Sequence, residues 1–321
     1  MLWTIVTLVF FLLKATPGDP ADAFLGNRAS DEVKADLRKQ LGLDQPVYVQ
    51  YFSYLFNILR GDFGKSITSS GKEVLIVIQE NFPATLELAI GSMLIAFVVG
   101  VTVGTISASR PGTISEVGGR LFGIISYSLP IFWVGMLLQL VFAVQLNIFP
   151  LGGRFPANLT PPVKITGLYT IDSLLHFDLA SFFVSLHHLA LPCLTLGVLL
   201  SGIFERIVRV NLKQSMKAEY VEAARARGIP EQRILISHAL KNAMIPVITV
   251  LGLTTASLLG GAVLTEVTFS WPGLASQLYE AISNRDYPTV QGIMVFFAAI
   301  VVIASIAIDL INAWIDPRIK Y

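Results

Sequence analysis

The chain has 321 residues, of which 54% are hydrophobic and only 14% charged, with a formal net charge of +1 and a mean hydropathy of +0.67. Soluble globular domains carry about 25% charged residues, so these figures exclude a soluble enzyme, an isolated DNA-binding domain and a disordered chain. The near-neutral balance also removes any whole-molecule bias toward nucleic acid.

The charge deficit is concentrated. Six stretches hold no Asp, Glu, Lys or Arg: 1–13, 88–109, 121–153, 179–204, 242–265 and 287–308. The remaining residues carry charge at the ordinary soluble density. A bilayer core needs roughly 20 apolar residues per helical span, and five of the stretches reach that length. They are continuous apolar runs, not the ten-residue alternations of a membrane barrel, so helices are expected. The predicted spans are about 1–14, 84–108, 121–148, 186–208, 243–266 and 291–314.

The first stretch lacks the basic leader and small-residue cleavage site of a secretory signal. It reads as a transmembrane helix that begins abruptly, either short or with a natural start upstream of Met1. Between it and the second span, Ser30, Asp31 and Glu32 followed by Gly42 mark a helix over 30–43. Asp44-Gln45-Pro46 breaks the chain, and a helix rich in Tyr and Phe follows over about 46–60. Segment 150–170, rich in Pro and Gly, is expected to be irregular.

Six spans put both termini on one side. Segment 205–241 carries eight Lys/Arg against four acids, whereas 150–184 holds only Arg154 and Lys164 and 267–290 only Arg285. The positive-inside rule therefore assigns 109–120, 205–242 and the tail to the cytoplasm. Loop 15–83 holds seven Lys/Arg, but long loops translocate largely regardless of charge. The expected organisation is a first helix (1–14), an extracytoplasmic region (15–83) and a five-helix core (84–321) with a cytoplasmic elbow at 205–242.

That elbow is the most informative segment. One helix is predicted from Glu205 to about Arg227, ended by Gly228, which tolerates a left-handed cap. Pro230 suits the start of a second helix, with Glu231 beside it. Its small residues (Ala218, Ala223, Ala224, Ala226) let another protein approach the backbone, and its charges fix orientation. It reads either as a lever that moves spans four and five or as a solvated basic loop that sets topology.

Glu222-Ala223-Ala224, three residues, then Gly228 resembles the front half of the EAA motif of membrane subunits of ATP-binding-cassette importers. Ala224-Arg225-Ala226-Arg227-Gly228 and His238-Ala239-Leu240-Lys241-Asn242-Ala243-Met244-Ile245-Pro246 resemble the dipeptide/oligopeptide/nickel branch. So do Pro17-Gly18-Asp19-Pro20, Gly61-Asp62-Phe63-Gly64-Lys65-Ser66, Pro83–Ala89, Phe269-Ser270-Trp271-Pro272-Gly273-Leu274 and Arg285–Gly292. The resemblance implies an all-α membrane protein of six transmembrane helices with a cytoplasmic coupling helix pair and a long extracytoplasmic loop after the first helix. It implies a permease of a bacterial inner membrane, not an enzyme. Expected partners are a second homologous permease, two cytosolic ATP-binding subunits and an extracytoplasmic solute-binding protein. Di- and oligopeptides come first as solutes, with nickel or another small solute as the alternative. Tyr220, Glu222, Ala223, Ala224, Arg225, Gly228 and Pro230 are the expected ATPase-docking set. Loops 15–83 and 267–290, with Trp271 and Tyr287, are expected to receive the binding protein.

Other signals resolve to bland readings. Gly64-Lys65-Ser66 looks like the end of a phosphate-binding loop, but the required upstream glycine is Leu59, so no bound ATP, and no other cofactor, is expected. Neighbouring His187 and His188 point about 100° apart on a helix and read as a core pair, not metal ligands. Cys193 reads as a small apolar residue. Glu87 and Asp309 lie near span ends, where solvation or structural pairing is expected. Gln139, Gln145 and Asn147 either line a path or bond between helices. A secondary transporter or channel would leave the elbow without a purpose, and an intramembrane enzyme would need a catalytic motif the spans lack.

Overall fold

The computed structural model describes residues 2–15, 30–40, 44–69, 71–260 and 262–315. Thirteen helices occur among them: α1 (Leu2–Ala15), α2 (Asp31–Gln40), α3 (Val47–Leu59), α4 (Val74–Ser109), α5 (Ile114–Ser128), α6 (Ile131–Gln145), α7 (Tyr169–Leu175), α8 (Leu179–Ser215), α9 (Glu219–Ala226), α10 (Glu231–Leu259), α11 (Val263–Thr268), α12 (Leu274–Ser283) and α13 (Tyr287–Ile315). The only β pairing in this part of the chain is an isolated bridge between Lys65 and Glu73. Residues 16–29, with Pro17–Pro20, the Gly42 stop and the tail beyond 315 lie outside the described residues.

Four of these helices, α4, α8, α10 and α13, are long and apolar enough to cross a membrane; α5 and α6 reach that length only together, as a pair bent by 101°. The single third span expected over 121–148 is thus broken. Leu129 is extended, at φ −84° and ψ 134°, because the residue before a proline is pushed out of the helical region, and Pro130 has no N–H to continue the ladder. Two spans start well before the predicted points. α4 begins ten residues before 84 and passes through Pro83, and α8 begins at Leu179, where the Asp178 carboxylate accepts from Ser181 N at 3.0 Å. The fifth span ends at Leu259 instead of 266, and α11 follows as a separate short helix.

The parallel pair α4 and α8 forms the centre of the bundle, in register from Gly91 beside Cys193 to Gly104 beside Val208. Their backbones approach through small residues. A Cβ built on Gly100 would lie 2.4 Å from Phe204 Cβ and 2.6 Å from the Ser201 carbonyl; one on Gly197 would lie 2.7 Å from the Ser92 carbonyl. Around these contacts, Met93, Ala96, Leu196, Phe204, Val208 and Val247 make one buried cluster. Gly100→Ala is therefore expected to cost about 1–3 kcal/mol by overpacking, measured as thermal unfolding of the purified protein. A Cβ on Gly118 of α5 would meet no atom within 4 Å, so Gly118→Ala is expected to be neutral or stabilising by about 1 kcal/mol. Equal behaviour of the two variants would contradict this packing.

Candidate functional site

The elbow forms at one end of the bundle, where α4 and α8 finish and α10 begins. The continuous helix expected from Glu205 to Arg227 does not exist. α8 stops at Ser215, and Ala218 is extended at ψ 150° before α9 starts. The break turns Val221 and Ala224 inward. They join Ala108 of α4, Leu212 of α8, and Ile234, Ala239 and Ala243 of α10 in one buried cluster. An unbroken helix would leave those apolar side chains in water. Glu219 and Glu222 fall in the first turn of α9, where acids favour the helix dipole.

Gly228 ends α9 as expected. It sits at φ +72°, and Ile229 N donates to the Ala224 carbonyl at 3.2 Å across the reversal. Pro230 occupies the cap position of α10. Arg225 Nε and Nη2 donate to the two Glu231 oxygens at 2.6 and 3.2 Å, bridging the corner. Both side chains are largely exposed, so solvent screens the pair and it adds little to stability; it bridges the corner between α9 and α10.

The expected docking residues therefore divide. Tyr220, Glu222, Ala223, Arg225, Gly228 and Pro230 are exposed on the elbow, whereas Ala224 is turned into its core. The cluster also includes α4, through Ala108, a connection that no local pattern in the sequence signals. Movement of α9 would act on three span helices, not two.

Two acids near this end serve as fasteners. Glu116 of α5 accepts from Gly112 N at 2.7 Å and Arg120 Nη2 at 3.1 Å, and it pairs with Lys213 in the last turn of α8. Glu205, counted with the elbow's charges in the sequence, is fully buried. Arg209 Nε donates to it at 2.7 Å, and α5 passes over its other oxygen only because residue 123 is glycine; a Cβ there would lie 2.4 Å from Oε2. A charge pattern four residues apart could have revealed the Glu205–Arg209 pair, but not its burial.

At the opposite end, four buried carboxylates organise the loops. Glu87 of α4 accepts from Arg154 Nε and Nη2 at 3.0 and 2.6 Å, and from Thr170 N and Oγ1 at 2.8 and 2.6 Å. Arg154 also donates to the Gly167 carbonyl at 2.6 Å and lies 3.7 Å above the Tyr169 ring. Asp172 collects Thr166 N, Thr166 Oγ1 and Gly167 N at 2.7–2.9 Å. Burial would raise its pKa, but these donors outweigh it and hold the carboxyl below its ordinary range. Glu266 accepts from Thr85 Oγ1 at 2.6 Å and Ser276 N at 2.8 Å, capping α12. Gly273 is required beside it, since a Cβ would meet its carboxylate at 2.3 Å.

Asp286 joins two stretches that the sequence left unconnected. Its Oδ2 accepts from Ser66 Oγ, Ile67 N, Thr68 N and Thr68 Oγ1 at 2.7–3.1 Å. The Gly64-Lys65-Ser66 loop, tempting as a phosphate cradle, thus wraps a carboxylate of the same chain. Trp271 is buried, and its Nε1 donates to the Ala84 carbonyl at 2.8 Å; it is part of the scaffold and not of a contact surface. Tyr287 is half-buried. Exposed side chains of this loop region include Pro272, Tyr279, Ile282 and Arg285.

The histidines pin loop 147–153 to α8: His187 Nε2 donates to the Ile148 carbonyl at 2.6 Å and His188 Nδ1 to that of Gly153 at 3.2 Å. Gln139 bonds between elements, donating to the Leu151 and Thr268 carbonyls at 2.7 and 3.0 Å. Among the described residues no group of three His, Cys, Asp or Glu side chains could hold a metal ion.

Two family models match the chain. Residues 100–321 match the binding-protein-dependent transport system inner membrane component, and residues 1–89 match the N-terminal part of such membrane components. The chain is 41% identical over 315 residues to the probable D,D-dipeptide transport system permease protein DdpB of Escherichia coli (strain K12), covering 98% of this chain and 92% of that protein. It is 38% identical over 318 residues to the dipeptide transport system permease protein DppB of Alkalihalophilus pseudofirmus, covering 99% and 94%. Its fold is similar to a chain of the MetNI methionine ABC transporter solved in inward-facing conformations, with TM-score 0.53, 17% identity, and coverage of 75% of this chain and 97% of that one.

Proposed function

We propose a specific role for this chain from the premise that it belongs to the family of binding-protein-dependent transport system inner membrane components: it carries di- or oligopeptides inward and is driven through its elbow. As a permease subunit of an ABC transporter it is not an enzyme; ATP hydrolysis in such systems is done by separate subunits. The peptide assignment rests on relatives whose names specify dipeptide transport.

In this reading α1 is the first of six spans. At 14 residues it is about 21 Å long, short of a full hydrocarbon core of about 30 Å. Both termini and the elbow face the cytoplasm, in keeping with the excess of Lys and Arg on 205–241. The permease pairs with a second, related permease above two ATPase subunits. The solute-binding protein docks at the opposite end, on loops that the Glu87, Asp172, Glu266 and Asp286 contacts hold in place.

The observation that carries the coupling role is the two-sided build of α9. Its outer side presents Tyr220, Glu222, Ala223 and Arg225, while its inner side is fused with α4, α8 and α10. A partner's push on the outer side is delivered to three span helices through close-packed side chains. The two alanines of the motif separate these jobs. Ala223→Trp is expected to abolish ATP-driven peptide uptake and binding-protein-stimulated ATPase activity while leaving the unfolding temperature near wild type. Ala224→Trp is expected to lower the unfolding temperature, because the ring would enter the elbow's core. Normal uptake by the Ala223→Trp transporter would overturn the coupling assignment.

A further inference from the structure

Helix α3 is divided lengthwise into three sectors. At about 100° per residue, Gln50, Tyr51, Tyr54, Leu55 and Ile58 fall on one side and are partly buried. Tyr51 bonds Thr7 through its hydroxyl at 2.6 Å, and Tyr51 and Tyr54 pack on the Phe10 ring. Apart from the partly buried Val49, the rest of the circumference is exposed, and its two halves differ. Tyr48, Phe52, Phe56 and Leu59 fall within an arc of about 80°, and each is more than half exposed. Ser53, Asn57 and Arg60 occupy the adjoining arc and are exposed as well.

Three observations say what covers the aromatic arc. First, its neighbour is an apolar surface already exposed on α1. The Phe11 ring stacks on Tyr51, which contacts Phe52 edge-on, and Phe11, Leu8 and Leu12 are themselves exposed. Second, both ends of α3 are tied to span ends. Gln50 pairs with Lys14 in the last turn of α1, and Ser66, six residues past Arg60, bonds Asp286 just before α13. Thirteen residues make about 20 Å of helix, too short to cross a bilayer. Third, the Arg60 guanidinium lies 4.0 Å over the Phe56 ring, at the border between the apolar and polar arcs, as expected of a cation whose stem follows apolar surface to the headgroup level.

The geometry points to α3 as an interfacial membrane helix. It lies along the leaflet at the end opposite the elbow, with Tyr48, Phe52, Phe56 and Leu59 at the headgroup–acyl boundary and Ser53 and Asn57 toward water. Amphipathic helices bury such a face about 5–10 Å into the interface, where aromatic rings are favoured. α3 would thereby fix the depth of the short helix α1, which it clasps through aromatic rings. The assignment does not depend on which solute is carried or on which side the termini lie.

The test uses the complete transporter in bilayers of phosphatidylethanolamine and phosphatidylglycerol, with partner subunits lacking reactive cysteines. Cys193, the single cysteine of this chain, is replaced by alanine. A nitroxide is attached in turn through Phe52→Cys, Phe56→Cys, Ser53→Cys and Asn57→Cys, and collisions with lipid-soluble oxygen and a water-soluble nickel chelate are compared. The oxygen-to-nickel ratio is expected to be several-fold higher at positions 52 and 56 than at 53 and 57. Equal, nickel-dominated values at all four positions would place the whole face in water and overturn the proposal. Exclusion of both reagents at 52 and 56 would mean that protein covers the arc, and would overturn it as well. If the cysteine variants fail to assemble, Phe52→Trp keeps the ring: quenching of the added fluorescence by brominated acyl chains supports the proposal, and unquenched fluorescence refutes it.

Discussion

Replacing Arg154 alone with methionine is expected to destabilise the protein by about 3–5 kcal/mol, because it leaves Glu87 charged and buried without its partner. Glu87→Gln alone is expected to be costly for the converse reason: the Arg154 guanidinium stays buried between Glu87 and the Tyr169 ring. The Glu87→Gln/Arg154→Met double variant is expected to recover at least half of the summed loss. It buries no charge, and the glutamine carbonyl can still accept from Thr170 N and Oγ1, which now donate to Glu87 Oε1. Thermal unfolding of the purified transporter, read as a double-mutant cycle, measures this coupling. Strict additivity of the two single effects would show that the pair does not act as a unit. The contact fixes loop 154–170 on α4, within the surface proposed above for the solute-binding protein.

Asp286→Ala is the second large effect. It removes the acceptor of five donors, of which Ser66 Oγ and the Ile67, Thr68 and Thr289 amides lie in partly or fully buried surroundings. Unsatisfied buried donors cost about 1–3 kcal/mol each where water cannot reach them, so a total near 3 kcal/mol is expected once the loop relaxes outward. Hydrogen exchange should localise the change, with amides 66–69 losing protection while those of α4 and α8 keep theirs. Acid should imitate the substitution. Burial alone would raise the Asp286 pKa, but the Ser66 and Thr68 donors prevail and hold it below the ordinary carboxylate range. With a depressed folded pKa, the stabilisation is complete above the unfolded value of about 3.9 and is lost as pH falls through the folded value. Protection of 66–69 should therefore be flat from neutral pH down to about 4 and fall only below that. A loss of protection between pH 7 and 5 would contradict the assignment.

The apolar stretches, the helix at Asp31–Gln40, the aromatic helix at Val47–Leu59, the Gly228 cap and the irregular segment before Tyr169 were all legible in the sequence. Each depends on a few adjacent residues: the length of an uncharged run, a cap, a turn residue. The motif Glu222-Ala223-Ala224…Gly228 was legible for the same reason. Span boundaries were less so. The expected starts at 84 and 186 marked a membrane-spanning length, yet the helices themselves begin at Val74 and Leu179, since a helix does not end where lipid does. The kink at Leu129–Pro130 had a local signal in the proline, which the uncharged run around it concealed.

What the sequence determined by itself is the kind of protein and the address of the elbow proposed to couple it, because apolar run length, charge asymmetry and turn chemistry are local quantities that survive without a fold. Only the tertiary structure decided which way each elbow residue faces and what each buried acid holds. Ala223 and Ala224 are chemically identical neighbours, and only the break after Ser215 turns one outward and the other into the cluster with Leu212 and Ile234. Asp286 and Ser66 lie 220 residues apart, and Glu87 and Arg154 lie 67 apart. No periodicity links such positions. Their pairing is imposed by the cost of burying a carboxylate without donors, and that cost exists only once the helices have brought them out of water.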